Sequence, residues 1–245
     1  MQERKYVIGV DEVGVGAIAG PLLVCACYVP SEHWDLLKSW GFTDSKRISE
    51  NKRKRLCKQL QEQATDLGVK WAYAPIDPIN LDKLGPLDAQ QRASRQAILL
   101  LTQELGVSIR DISVILDGRW TLPNLPSSVI QTAVPKADLH YLPVSVASVI
   151  AKTTRDNEIT AIGSGYPAYE FDKNKGYPTP EHLGILWELG PIYGIHRSHY
   201  LRNSITNYYD KYLRPINPKI PKWINSEWLT STPSNSQQSK HQLQE

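Results

Sequence analysis

Residues 6–20, YVIGVDEVGVGAIAG, constrain this chain more than any other stretch. Tyr6 to Val10 have the β-branched, aromatic and small composition of a buried strand. Asp11 and Glu12 follow where the apolar run asks for another hydrophobic residue. Two acids at the tip of a buried strand repel each other and lose hydration. Either the strand end is solvated or a positive charge sits there. Neighbours on a regular strand point to opposite faces, so Asp11 and Glu12 share one site only where the strand ends or bulges. Gly14, Gly16 and Gly20 come next and mark backbone that turns tightly or lies close to a ligand.

Three ligand types fit a glycine turn, and the flanking residues choose among them. Gly14-Val15-Gly16-Ala17-Ile18-Ala19 matches the dinucleotide pattern, but that site needs a helix to open at the glycines. Here Pro21 is followed by a second strand, LLVCACYV, and the acids would face the phosphates. A Walker loop is excluded because no G-K-[ST] follows. A metal-bridged phosphate fits better, with acids holding a divalent cation and glycine amides touching phosphate or sugar.

Further along, VKWAYAPI reads as a third strand and Ile112 to Leu116 as a short apolar one ending in Asp117-Gly118. A lone Asp-Gly is a turn signal. Beside Asp11 and Glu12, Asp117 becomes a candidate third ligand, because neighbouring strands bring their ends together. VIQTAV adds a strand. Asp88 to Leu105 reads as an amphipathic helix, its inward stripe Ala93, Ala97, Leu100, Leu101 and Leu105. In the helix VSVASVIAKTTRDNEITAI, Ser148, Lys152 and Asp156 share one face. Seven cations from Lys46 to Lys58 lie within 13 positions and make either a solvated helix face or a phosphate-tracking surface. The net charge of +3 is too small to decide between them. His182 and His196 read as structural hydrogen-bonders, since hard divalent cations prefer oxygen ligands. Three cysteines without a C-x-x-C pair argue against a zinc or disulfide framework and make a reducing cytoplasm the default. No apolar run approaches a membrane span.

Asp11-Glu12-Val13-Gly14-x-Gly16 with Ala19-Gly20-Pro21 resembles the opening motif of the type 2 ribonucleases H, ribonuclease HII in particular. Asp44-Ser45-Lys46, then Ser148-Val149-Ile150-Ala151-Lys152 with Arg155-Asp156, and then Asn174-Lys175-Gly176-Tyr177-Pro178 continue the likeness in order. It covers residues 6 to about 204. The resemblance implies an α/β ribonuclease H-like fold, a mixed central β-sheet flanked by helices, with C-terminal helices. A catalytic domain over residues 1–214 is expected, then a disordered tail over 215–245 with Trp223 and Trp228 as possible anchors. The implied catalytic and metal set is Asp11, Glu12, Asp117 and Asp156, Asp156 being matched to the family's fourth acid. Four carboxylates without a nucleophile need cations to stay ionised, and two Mg²⁺ or Mn²⁺ ions would support in-line phosphodiester hydrolysis.

By the same likeness Gly14, Val15, Gly16, Lys46, Ser148, Lys152, Lys175 and Tyr177 contact nucleic acid. The implied substrates are RNA–DNA hybrids and duplex DNA containing single ribonucleotides, cut on the 5′ side to leave a 3′-hydroxyl. Removal of ribonucleotides and RNA primers by a monomeric cytoplasmic enzyme would follow, with no protein partner identifiable. Two departures stand out: Val15 where the family usually has arginine, and His140-Tyr141 after Asp138 where it often has Lys and Ser. Loss of the arginine makes a hybrid-binding protein with weakened junction cleavage the alternative. The sister ribonuclease HIII has an N-terminal domain for which the motif's early position leaves no room.

Overall fold

A computed structural model of the chain describes residues 5–123, 125–214 and 218–224. Five strands form one sheet: β1 (Tyr6–Val13), β2 (Leu22–Tyr28), β3 (Lys70–Ile76), β4 (Ile112–Asp117) and β5 (Ile130–Val134). Their order is β3-β2-β1-β4-β5. The first three pair antiparallel, while β4 and β5 run parallel to β1, so the sheet is mixed as expected.

Helices cover both faces. Ile8 and Val10 of β1, with Val24 and Ala26 of β2, pack against α4 (Pro86–Leu105) through Ala93, Ala97, Ile98 and Leu101. Val13, Leu23, Cys25 and Cys27 face α5 (Leu142–Ser164), with α1 (Trp34–Trp40) and α2 (Glu50–Gln63) on the same side. Gly9 shows how close that approach is. A Cβ there would lie 2.3 Å from the backbone of Pro143 and Val144, so only glycine lets the start of α5 touch the central strand. In α4, Leu100 is exposed where an inward position was expected, and Ile98 is buried instead. Leu100 sits about 100° around the axis from buried Leu101, off the face that meets the sheet.

The main departure concerns β1, whose apolar run ends at Val10 while the strand continues to Val13. Its antiparallel edge stays paired with β2 as far as Val13 opposite Leu23. On the other edge the pairing with β4 stops at Val10 opposite Leu116. Asp11 and Glu12 therefore occupy a regular strand with one open edge, beside the end of β4.

Beyond the sheet come α3 (Pro78–Leu84), the short α6 (Phe171–Asn174), α7 (Pro180–Leu189) and α8 (Ser198–Tyr208). Asp82 of α3 caps α8, its carboxylate accepting the N–H groups of Ser198 and His199 at 2.7 and 2.9 Å. Ile18 joins Leu186, Trp187, Leu201 and Ile205 in the core that fixes α7 and α8 to the glycine turn. Trp223 and Ile224, within the stretch expected as a tail, pack on the same core. Trp228 and the rest of the expected tail lie outside the described residues.

Candidate active site

Asp11 lies opposite Cys25 and shares its face, toward α5; Glu12 lies opposite Val24 and faces α4. Asp117, the last residue of β4, comes next to both. The oxygens of Asp11, Asp117 and Asp138 gather within 4.8 Å of one another. Asp138 arrives from the end of β5. There Lys136 takes a left-handed turn (φ 62°) and the 3₁₀ segment Ala137–Leu139 folds back under β4. The Ala137 N–H donates to Asp117 Oδ1 at 2.9 Å, and Ser145 of α5 donates to the Asp138 carbonyl. Two of the acids thus come from the C-terminal parts of the adjacent parallel strands β1 and β4, and the third from the segment just beyond β5.

Asp138, not Asp156, is the acid that the fold brings to Asp11 and Asp117. Asp156 stands eight residues beyond Ser148 on α5, about 12 Å along the axis. Both its oxygens are engaged, Oδ1 by Lys152 at 2.6 Å and Oδ2 by Arg53 at 3.1 Å. The shared helix face was read correctly, but a face says nothing about axial distance. Asp138 escaped the rule that admitted Asp117, because Pro135, Lys136 and Ala137 separate it from the end of its strand.

Burial, helped by crowding, raises the proton affinity of Asp11, Glu12 and Asp138. Burial, then the charges of Glu12 and Asp117, push Asp11 well above the usual carboxylate range. Glu12 is raised to about 7, by burial first and Asp117 second, with Gln90 and Lys46 opposing. Asp138 is also raised, by burial and then Asp117. A set of hard oxygen donors this strained in its own charge fits a divalent cation such as Mg²⁺ or Mn²⁺.

The other expected residues divide into two groups. Lys46 is exposed and close enough in charge to act on Glu12 and Asp138. Gly16 is exposed with open space around it. Val15 is half-buried on Leu22, Leu81 and Ala89. Ser148 supports Asp11 from below and bonds Ser45 at 2.9 Å. Lys152 is neutralised by Asp156. Lys175 donates to Thr160 at 3.0 Å and lies 3.7 Å from Glu50. Tyr177 carries Lys152 and Arg155 near its ring at 5.4 and 5.2 Å.

Two fully buried arginines that sequence reasoning missed hold the glycine turn. Arg155 donates from Nε to the Pro21 carbonyl, from Nη1 to Lys175 and from Nη2 to Ala19, each at 2.9 Å. Arg197 donates from Nε to Gly20 at 2.8 Å and from Nη1 to Gly14 and Ala17 at 2.6 and 2.8 Å. With its carbonyls drawn inward, the turn is left with amides to offer outward. Among the described residues no hydrogen bond engages the N–H of Val15 or Gly16. Gly14 has φ 87°, and a Cβ on it would lie 2.3 Å from Arg155 Nε.

The model of the family Ribonuclease HII matches residues 8–203. The chain belongs to the ribonuclease HII family. The ribonuclease HII of a Marinomonas species is 39% identical over 77% of this chain and 86% of its own. That of Nitrosomonas europaea is also 39% identical, over 80% and 82%. The fold matches the ribonuclease HII of Archaeoglobus fulgidus, solved as a complex with PCNA, at TM-score 0.65 and 23% identity, covering 85% and 99%. As a ribonuclease HII the chain is a metal-dependent endoribonuclease, and the acid trio is the part of it suited to the metal.

Behind Tyr177 the two histidines form a directed relay. The Ile192 N–H donates to His196 Nδ1 at 2.8 Å, which leaves the ring proton on His196 Nε2. That proton points at His182 Nε2, 3.3 Å away, and His182 Nδ1 donates to the Tyr177 carbonyl at 2.9 Å. Both rings must be neutral. Burial lowers the His196 pKa to about 3 and lowers His182 as well. A histidine depressed on folding stabilises above its unfolded pKa and loses that contribution as pH falls toward the folded value. Between pH 7 and pH 5, His196 should therefore cost about 2 kcal/mol. The raised acids titrate with the opposite sign. The histidine share is accordingly the difference in pH-dependent unfolding between the wild type and His196→Gln, and on going from pH 7 to pH 5 the variant should keep about 2 kcal/mol that the wild type loses.

Proposed function

We propose that this ribonuclease HII hydrolyses the RNA strand of RNA–DNA hybrids and also cuts 5′ of a single ribonucleotide in duplex DNA, leaving 3′-hydroxyl and 5′-phosphate ends. The observation that carries it is the acid trio at the ends of β1, β4 and β5, set beside a turn that presents free amides. Asp11, Asp117 and Asp138 would hold two Mg²⁺ or Mn²⁺ ions, with Glu12 alongside. When bound, such ions offset the carboxylate charge and stabilise charge building on the phosphate oxygens during in-line attack.

The chain's own groups do the rest. Lys46 meets a phosphate beside the acids. Glu12, raised to about 7, is placed to take up or release a proton at its carboxylate near neutral pH. The amides of Val15 and Gly16 receive a ribose 2′-hydroxyl, the group that separates RNA from DNA. Ser148 fixes Asp11, and Lys152 and Arg155 fix the Tyr177 ring against which a sugar rests. The enzyme would act as a cytoplasmic monomer in ribonucleotide and primer removal.

Weaker junction cleavage is favoured by one observation: Val15 sits in an apolar cluster and offers no cation to the scissile phosphate. The test is cleavage of a labelled duplex with one ribonucleotide beside a full hybrid, in Mg²⁺ and in Mn²⁺. Cutting of both supports the proposal, and failure on both removes it. Val15→Arg should raise cutting at the single ribonucleotide about tenfold, the worth of one charge-assisted hydrogen bond, and change hybrid cutting much less.

A further inference from the structure

A cleft opens beside the acids on the α4 side, between the loop after β4 and the first half of α4. Glu12 and Asp117 lie in its wall, Leu87 and Gln91 come from α4, and Arg119 and Trp120 from the loop. Trp120 is 75% exposed, although indole is one of the largest apolar groups a chain can bury. The loop that carries it is held on both sides. Gly118 N–H donates to the Val134 carbonyl at 3.1 Å. Beyond Trp120, the Gln131 side chain brackets Leu122, accepting from its N–H at 2.8 Å and donating to its carbonyl at 3.1 Å. Leu122 itself is buried against the α4-side core. The indole is therefore presented by a pinned backbone. Beside it Arg119 is exposed and takes part in none of the ion pairs between described residues.

We propose that this cleft seats the nucleotide next to the scissile phosphate on the cleaved strand, its base stacked on Trp120 and its outer phosphate paired with Arg119. The cleft shares Glu12 and Asp117 with the acid site, so a strand held at the acids has its adjoining nucleotide at the cleft mouth. An aromatic face next to an unpaired cation is how proteins hold a nucleotide without reading its sequence. Gln91 adds an amide within the same walls. The subsite holds only where the chain is the hybrid-cutting ribonuclease argued above.

The test uses the full chain and a labelled RNA–DNA hybrid, with steady-state cleavage in Mn²⁺ and binding without divalent metal. Trp120→Ala should raise KM about tenfold with kcat within about twofold, and Trp120→Phe should restore most of the loss. A side chain so exposed carries little of the core, so the melting temperature should not move. Arg119→Gln should reduce the slope of log Kd against log salt by about one. An abasic nucleotide beside the cut on the cleaved strand should erase the difference between wild type and Trp120→Ala. The same lesion on the opposite strand should leave it. If Trp120→Ala keeps the wild-type KM and Kd on a hybrid that the wild type cuts, the subsite alone is overturned. A difference erased only by the opposite-strand lesion overturns the strand assignment. A wild type that neither cuts nor binds the hybrid overturns the ribonuclease activity and the subsite together.

Discussion

Asp138→Asn should lower hybrid cleavage by about a thousandfold or more while leaving the protein folded, whereas Asp156→Asn should do nearly the reverse. The first expectation follows from charge. Asp138 lies within 4.8 Å of Asp11 and Asp117, where carboxylate oxygens crowd and where burial has raised the proton affinity of Asp11 and Asp138. Converting one of three cation-holding acids to an amide removes a hard anionic donor from a site whose chemistry needs it, and transition-state electrostatics of this kind carry several kcal/mol. It also relieves repulsion, so stability without metal should be unchanged or higher. Asp156 instead sits between Arg53 and Lys152, almost fully buried. Its amide leaves the buried Arg53 guanidinium without its counter-charge, a loss of about 3 kcal/mol in the usual range for breaking one side of a buried pair. Cleavage below the melting temperature should fall only modestly. Unfolding curves and single-turnover cleavage of both variants separate the two roles. A dead but stable Asp156→Asn would return that residue to the acid set.

The sheet and two of the trio were legible because they announce themselves locally. An apolar run that stops at a carboxylate is visible in VIGVDE and in ISVILDG, and glycines after each mark the turn. Asp138 does not announce itself this way: Pro135, Lys136 and Ala137 separate it from VIQTAV, and it reaches the site through a left-handed residue, Lys136, that no pattern flags. The Asp11–Glu12 geometry was half legible. Alternation along a strand separates them, and that separation is what the fold keeps, because β2 holds β1 straight to Val13. Neither a strand end nor a bulge was needed there, since Asp117 lies at the open edge and acts on both. Least legible were Arg155 and Arg197. Charged residues are read as surface by default, and only the tertiary path of the glycine turn shows what they bind.

Arg197→Met should cost about 3 kcal/mol or more in stability, lowering the melting temperature by about 10 °C. The guanidinium is wholly buried and donates to Gly20, Gly14 and Ala17, with Val15 at 3.4 Å. Methionine fills much of the volume but leaves the Gly20 and Ala17 carbonyls without the donor and Gly14 with only the Ala17 N–H, at about 1–3 kcal/mol for each lost bond before the relief of desolvating a cation is counted. That relief is real: burial first, then the charge of Arg155, lowers the Arg197 pKa to about 10, and its Nη2 has no partner. An isolated buried cation is expensive to keep, which makes its position behind the turn informative. Two positive groups bonded to the carbonyls of the turn hold the amides of Val15 and Gly16 outward and add positive potential where a phosphate or ribose would lie. Below its melting temperature, Arg197→Met should therefore lose more activity on a single ribonucleotide than on a continuous hybrid, because a lone 2′-hydroxyl leaves no second ribose to compensate. Arg197→Lys, with one ammonium in place of a fork, should recover part of the stability and little of that ratio. Equal losses on both substrates would mean that the arginine supports the fold alone, and that the outward amides do not read the sugar.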